Sequence, residues 1–279
     1  MNSSITPPLR AQIEAAAEHL AGRTIAFLTG AGLSTDSGIP AYRGTGSAPR
    51  RAPMTVQTFL GSEQAQRRYW LGGHLGWRSF RTAAPNPGHR AIADLERAGR
   101  SAGVITQNVD GLHLGAGSAR VVELHGTMRV VGCLRCGQSF SRDAVAAQID
   151  ARNPWLDVPD EVLLGPDGDV RPETTDGFAL PVCTVCEGRL KPDVVFFGEF
   201  IPSERFATAE SLLRSGDALV VAGSSLVVNS GLRIVERARR REIPLVIVNL
   251  EPTRADAWAS ATVAASTSDV LPALQELLT

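Results

Sequence analysis

The sequence predicts an α/β protein: a Rossmann-like parallel sheet with helices on both faces, carrying a smaller zinc-binding and helical module. Three observations carry this. Short apolar runs alternate with helical stretches, the order that gives right-handed crossovers and a parallel sheet covered on both sides. Glycine or polar clusters follow the apolar runs at five places: Gly30-Ala31-Gly32, Gln107-Asn108, His125, Gly223-Ser224-Ser225 and Asn249. In an open parallel sheet the carboxyl ends of the strands share one edge, and ligands bind there. Finally, two Cys-x-x-Cys pairs interrupt the alternation.

Taken in order, residues 9–21 carry Leu9, Ile13, Ala16 and Leu20 at near-helical spacing, the mark of an amphipathic helix. Thr24–Pro40 begins as an apolar run buried on both faces. It continues as a glycine turn that permits close approach to a ligand and reaches Ser34, Thr35, Asp36 and Ser37, residues that can cap a helix start. A strand, a glycine turn and a helix N-terminus together suit an anion such as a pyrophosphate. The spacing departs from G-x-G-x-x-G, because Thr35 occupies the third glycine position, so an ordinary tight turn also fits.

From Ala41 to Pro87 the pattern loosens, with scattered aromatics and Gly44, Gly46, Pro49 and Pro53 near its start. This reads as short helices in an excursion from the sheet, with the aromatics filling a core. Pro87-Gly88 opens a helix that runs to Arg97 and stops at Gly99. Strands are expected at 103–106, 120–124, 218–222 and 244–248, and helices at 202–214 and 231–241, the latter with basic residues late, where they suit the dipole.

Composition sets outer limits. A chain of 279 residues accommodates one large or two modest domains. Its 43% hydrophobic and 20% charged content is that of a soluble globular protein. A net charge of −1 gives no long-range pull toward nucleic acid or an anionic membrane. No apolar run approaches the ~18 residues of a membrane span, and the first residues lack a secretory pattern. A cytoplasmic location is the expectation. Lys191 is the one lysine among many arginines, which codon bias accounts for.

Cys133-Leu134-Arg135-Cys136 and Cys183-Thr184-Val185-Cys186 supply four thiolates, enough for a closed and therefore structural tetrahedral zinc site. The gap between pairs exceeds the ~15–20 residues of the usual ribbon signature, so the loop carries an insertion. Redox pairs or free thiols are the alternatives. His125 is read as a general base with a pKa near neutrality, because it shares an edge with the glycine loop; alone it would read as a packing histidine. His113 suits a structural hydrogen bond. Asn108 and Asp110, two apart, project to one side of an extended segment and suit ribose hydroxyls or a carboxamide. An Asx turn capping the next helix also fits Asp110, and Asp36 could likewise be only a cap.

These residues resemble a family. Gly30–Arg43, Thr106–His113, Leu124-His125-Gly126, the two cysteine pairs, Lys191–Glu199, Gly223-Ser224-Ser225 and Asn249 follow the order of the sirtuin motifs. The match covers roughly residue 10 to the C-terminus. The resemblance implies an NAD-dependent protein-lysine deacylase that consumes its cofactor: nicotinamide leaves as the acyl oxygen attacks the anomeric carbon, and the histidine matching His125 acts as base on a ribose hydroxyl. Products would be free lysine, nicotinamide and O-acyl-ADP-ribose. It also implies a structural zinc on Cys133, Cys136, Cys183 and Cys186.

Carried over, His125 and Asn108 are the catalytic pair. Gly30, Ala31, Gly32 and Arg43, with Thr35, Asp36, Ile39, Pro40 and Tyr42, cover NAD. Gln107, Asn108, Val109 and Asp110 line the ribose and nicotinamide pocket. Gly223, Ser224, Ser225, Asn249, Leu250 and Glu251 hold the adenosine half, and Thr267 matches a further contact. Val195, Phe197, Gly198 and Glu199 match the segment that pairs with an acylated-lysine protein or peptide as an added strand, a mode that reads backbone. No nucleic-acid or membrane partner is implied. The implied large domain is 1–41, 86–128 and 192–279, and the small one 42–85 and 129–191.

Two details resemble the class II, mitochondrial lipoamidase-type branch: the long segment between cysteine pairs, and Pro252-Thr253-Arg254. The desuccinylase branch places an Arg three residues after a Tyr in the acyl pocket. Here Gly72 follows Tyr69 and Thr45 follows Tyr42, so a preference for acidic acyl groups is not expected. Mono-ADP-ribosyl transfer to protein, and a non-catalytic NAD-binding module, are the rival readings; His125 argues against the second.

Overall fold

The computed structural model describes residues 5–42, 53–158 and 162–279. The chain opens with helix α1 (Pro7–Leu20), strand β1 (Ile25–Thr29), α2 (Val56–Gly61), α3 (Glu63–Thr82), α4 (Pro87–Arg97) and β2 (Ser101–Thr106). Next come α5 (Leu112–Gly115), β3 (Val121–Glu123), β4 (Gly126–Cys133), β5 (Ser139–Ser141), α6 (Arg142–Arg152) and β6 (Leu190–Val194). The last third is α7 (Ser203–Arg214), β7 (Ala218–Ala222), α8 (Asn229–Arg240), β8 (Leu245–Val248), β9 (Ala261–Val263) and α9 (Thr267–Leu278).

Six strands form a parallel sheet in the order β3-β2-β1-β7-β8-β9. Every residue of β1, β2, β7 and β8 is buried, as expected of strands covered on both faces. The period of two sorts the core. Ile25 and Phe27 of β1 face α1, α4 and α9, together with Val220 and Val246. Ala26 and Leu28 face α7 and α8, together with Leu219 and Ile247. Full burial of a side chain such as Phe27 contributes roughly 2–3 kcal/mol, so these two layers hold the sheet edge in place.

A second sheet, β5-β4-β6, is antiparallel. It packs with α2, α3 and α6 around a third core that includes Phe59, Trp70, Ile149, Phe178 and Phe196. The two cysteine pairs lie at the end of β4 and just before β6.

The described excursion from residue 53 is less broken than expected. Although Gly72, Gly73 and Gly76 lie within it, α3 runs unbroken for 20 residues. Ser62 caps it by accepting from the Ala65 N–H, and Trp70, Trp77 and Phe80 bury one face; tertiary packing outweighs the glycine propensity cost. Three further features escaped the sequence reading: the antiparallel sheet with α6, strand β9, and α9, whose pattern is interrupted by Pro272.

Candidate active site

Gly30 leaves β1 in extended conformation, and two short 3₁₀ turns follow, Ala31–Leu33 and Thr35–Ser37. Gly38 then turns left-handed at φ +83. The helix expected to start at Ser34–Ser37 does not form, and the reason is tertiary. Ser34 does not cap; its hydroxyl donates to Asp110 Oδ2 at 2.7 Å, while the chain turns at Gly38 toward Pro40. The glycine loop is locked instead to the turn after β7. Gly32 N–H donates to the Gly223 carbonyl at 2.8 Å. Gly223 lies at φ +65, and a Cβ there would sit 2.2 Å from Leu33 N, so both the dihedral and the contact require glycine. The helix N-terminus that does reach this loop belongs to α9: Ser266 Oγ donates to Asp36 Oδ2 at 3.0 Å, and the buried Thr267 Oγ1 has no hydrogen-bond partner.

The residues after β2 brace the loop. Asn108 Nδ2 donates to the Gly30 carbonyl at 3.1 Å and to Ser34 Oγ at 2.9 Å. Both amide hydrogens are spent, so its carbonyl oxygen is what Asn108 can offer the cleft. Asp110 works inward: besides Ser34, it accepts from the Leu112 N–H at 2.9 Å, the Asx-turn reading at the start of α5. Burial pushes its carboxyl above the ordinary range, against the opposing pull of those hydrogen bonds. Gln107 Nε2 donates to Ser224 Oγ at 2.7 Å and to the Thr29 carbonyl at 3.3 Å, which ties three strand ends together.

His125 follows β3 and lies in the same cleft. Its Nδ1 is 2.9 Å from the Gln107 carbonyl and its Nε2 is 2.8 Å from Ser230 Oγ. Burial lowers its pKa; the Gln107 hydrogen bond acts the other way, and Arg205 adds to the lowering. A neutral imidazole near pH 7 is the result, the form a general base requires. His113 is structural, with Nε2 2.8 Å from Thr29 Oγ1.

The segment after β6 forms the facing wall. Val195 N–H donates to the His125 carbonyl at 2.8 Å, and the Phe197 carbonyl accepts from Val56 N–H at 3.0 Å. Glu199 folds back, accepting from Phe196 N–H at 2.8 Å and pairing with Lys191 at 3.0 Å. The small module closes the end of the cleft. Tyr42 hydrogen-bonds Asp167 and meets the Phe197 ring edge-on at 6.2 Å. Burial raises the Asp167 pKa to about 6. Behind them the Arg142 guanidinium lies 5.1 Å from the Trp70 ring and 5.3 Å from that of Trp77; burial lowers its pKa to about 10.

The four cysteine sulfurs lie within 4.8 Å of one another. The Cys133–Cys186 and Cys136–Cys183 separations are 3.5 and 3.6 Å. A Zn–S distance of ≈ 2.3 Å spaces tetrahedral sulfurs by about 3.8 Å, so the four thiols fit one zinc ion and are too far apart for disulfides.

All the expected cofactor, catalytic and substrate residues line this one cleft except Pro40, which is not among its lining residues, and Arg43, which lies outside the described residues. Sequence reasoning missed Ser34 and Ser230 as partners of the site. Ser34 was visible only as a possible cap, and Ser230 carried no signal beyond its place shortly after the Gly223 turn.

A parallel sheet with interlocked glycine turns, a neutral histidine and an apolar wall at one edge defines a dinucleotide-handling enzyme class. The Sir2 family model matches residues 30–230. The chain is 48% identical over 263 residues to the NAD-dependent protein deacetylase 1 of Mycobacterium avium, covering 93% of each chain. It is 44% identical over 251 residues to the NAD-dependent protein deacylase SRT2 of Arabidopsis thaliana, covering 83% of this chain and 67% of that one. A solved complex of Sir2 with a p53 peptide and NAD+ superposes with a TM-score of 0.77 at 28% identity, over 95% of this chain and 97% of the other. The chain belongs to the Sir2, or sirtuin, family.

Proposed function

We propose that the chain is an NAD-dependent protein-lysine deacylase acting on acylated-lysine proteins or peptides, with one structural zinc on its four cysteines. The observation that carries this is His125, a half-buried neutral imidazole held at both nitrogens in the cleft that also contains the glycine loop and the Val195–Glu199 wall. The names of the relatives agree with it.

When bound, NAD supplies a glycosidic bond whose cleavage releases nicotinamide and provides the ADP-ribose that accepts the acyl group. The chain's own residues do the rest. The interlocked Gly30–Gly32 and Gly223–Ser225 turns offer backbone groups without side-chain obstruction, and Thr267 Oγ1 is a buried hydroxyl awaiting a partner in the same cleft. Gln107, Val109 and the Asn108 carbonyl oxygen serve the ribose and nicotinamide region; Asn249, Leu250 and Glu251 serve the adenosine half. His125 Nε2 takes the proton of a substrate hydroxyl. Val195 and Phe197 exclude water from the reacting groups, and the substrate backbone adds beside them.

The division into a sheet domain (1–41, 86–128, 192–279) and a small domain (42–85, 129–191) belongs to this reading; the separate core around Trp70 and Phe178 supports it. So does assignment to the class II branch, which rests on the long segment between the cysteine pairs and on Pro252-Thr253-Arg254. A cytoplasmic location is likewise proposed; no helix among the described residues is long and apolar enough to cross a membrane.

The test is nicotinamide release with a panel of acyl-lysine peptides. Release that requires an acyl-peptide, with loss of the acyl group, is expected. Label transfer from NAD to protein without any acyl group would overturn the reading in favour of ADP-ribosylation.

A further inference from the structure

Ser230 stands in the first turn of α8 with its hydroxyl against the basic nitrogen of His125. We propose that Ser230 is the positioning residue of the His125 base, and that Arg254 holds it there by clamping the loop 225–229. This rests on the deacylase reading and adds a residue to it.

The hydrogen bonds decide which nitrogen is basic. Nδ1 faces the Gln107 backbone carbonyl at 2.9 Å. A carbonyl only accepts, so Nδ1 carries its hydrogen in both protonation states. Nε2 is therefore the site that gains and loses a proton, and Ser230 Oγ lies 2.8 Å from it. A hydroxyl can reverse its role. It donates to Nε2 while the ring is neutral and accepts from Nε2–H once the ring is protonated. Before substrate binds, Ser230 thus orients the ring; a substrate hydroxyl then takes its place on the Nε2 lone pair, its proton passes to Nε2 as the substrate oxygen attacks, and the new Nε2–H donates to Ser230 Oγ.

Two features of the backbone put Ser230 there. Gly231 lets α8 approach the β2 end, since a Cβ would lie 2.6 Å from Gln107 Oε1. Arg254 then ties the preceding loop from outside. Its Nη1 donates to the Val227 carbonyl and to Asn229 Oδ1, each at 3.0 Å, and its N–H donates to the Ser225 carbonyl at 3.3 Å. This gives a structural task to the Pro252-Thr253-Arg254 motif.

The charged group that acts on His125 is Arg205 of α7, itself paired with Asp193 of β6 at 3.0 Å. From α8, Arg233 lies over the Phe206 ring at 4.3 Å and also lines the cleft, as does Glu210 of α7. Neither α8 nor the β2 end sets a carboxylate against the ring; what they present to it is the Ser230 hydroxyl and the Gln107 carbonyl.

A hydrogen bond to a charged donor is stronger than one between neutral groups, so Ser230 favours the protonated ring, and Ser230→Ala should raise the acid dissociation constant of His125 about fivefold. The experiment is an NMR titration of His125 in zinc-loaded wild type, Ser230→Ala, Ser230→Thr and Arg254→Met, with kcat and KM measured across pH. In Ser230→Ala the acid limb should move to lower pH. The plateau kcat should fall roughly tenfold with the peptide KM little changed, as for loss of a group that acts in the proton-transfer step. Ser230→Thr keeps a hydroxyl and should restore both; Arg254→Met should move them in the direction of the alanine variant. An unmoved His125 titration in Ser230→Ala, or a threonine variant no better than alanine, overturns the proposal. The titration needs no turnover. A wild-type protein without acyl-peptide-dependent nicotinamide release would defeat the deacylase reading while the titration still decides the Ser230 contact.

Discussion

At His125, burial and hydrogen bonding pull in opposite directions, and the balance is what makes the ring useful. Desolvation keeps it neutral and Gln107 fixes its tautomer. His125→Ala should lower acyl-peptide turnover by about 10²–10⁴-fold, the usual worth of a positioned base, while NAD binding measured by calorimetry is largely retained. Near-normal turnover would refute the role. Two other histidines carry a different consequence. His89, fully buried in the cap of α4, has its pKa lowered by burial to about 4, and His113 beside it is lowered in the same sense. Both are neutral when folded and bind a proton more readily when unfolded. Their stabilising contribution is therefore complete above pH 6.5 and is lost as pH falls toward 4. For His89 alone that amounts to about 3 kcal/mol. Denaturant titrations at pH 7 and pH 5 should show wild type losing more stability than His89→Gln; equal losses would count against this account.

Among the elements, the small antiparallel sheet depends most on something other than its own core. Strand β4 ends at Cys133, β6 begins shortly after Cys186, and β5 has only three residues. Zinc binding is folding free energy in such modules. Cys183→Ser should release the metal and melt this sheet together with α6, seen as loss of one zinc per chain and early proteolysis within 129–191. A native protein without zinc on elemental analysis would remove the argument. Because Asp167 of the same module holds Tyr42 at the cleft, the cysteine variant should also weaken turnover without touching His125.

Across the whole molecule, the parts of the site that could be read from the chain were those written at strand ends. Gly30, Gln107, His125, Gly223 and Asn249 each follow an apolar run, and parallel topology brings such positions to one edge whatever their separation in sequence. The helix expected after the glycine loop could not be judged the same way. Its capping serine is claimed by Asp110, a residue far along the chain, and local propensity has no term for that competition. The same is true of Ser230, whose contact with His125 joins the start of α8 to the end of β3, far apart in the chain. The four thiols were legible because ligand spacing is a local property; the sheet that presents them was not, because β4 and β6 meet across a long insertion. Sequence alone thus determined the class of fold, the strand-end chemistry and the metal ligands, all of which follow from periodicity and short-range spacing. Tertiary structure alone decided which hydroxyl faces which nitrogen, because that depends on backbones approaching within one hydrogen bond from opposite ends of the chain.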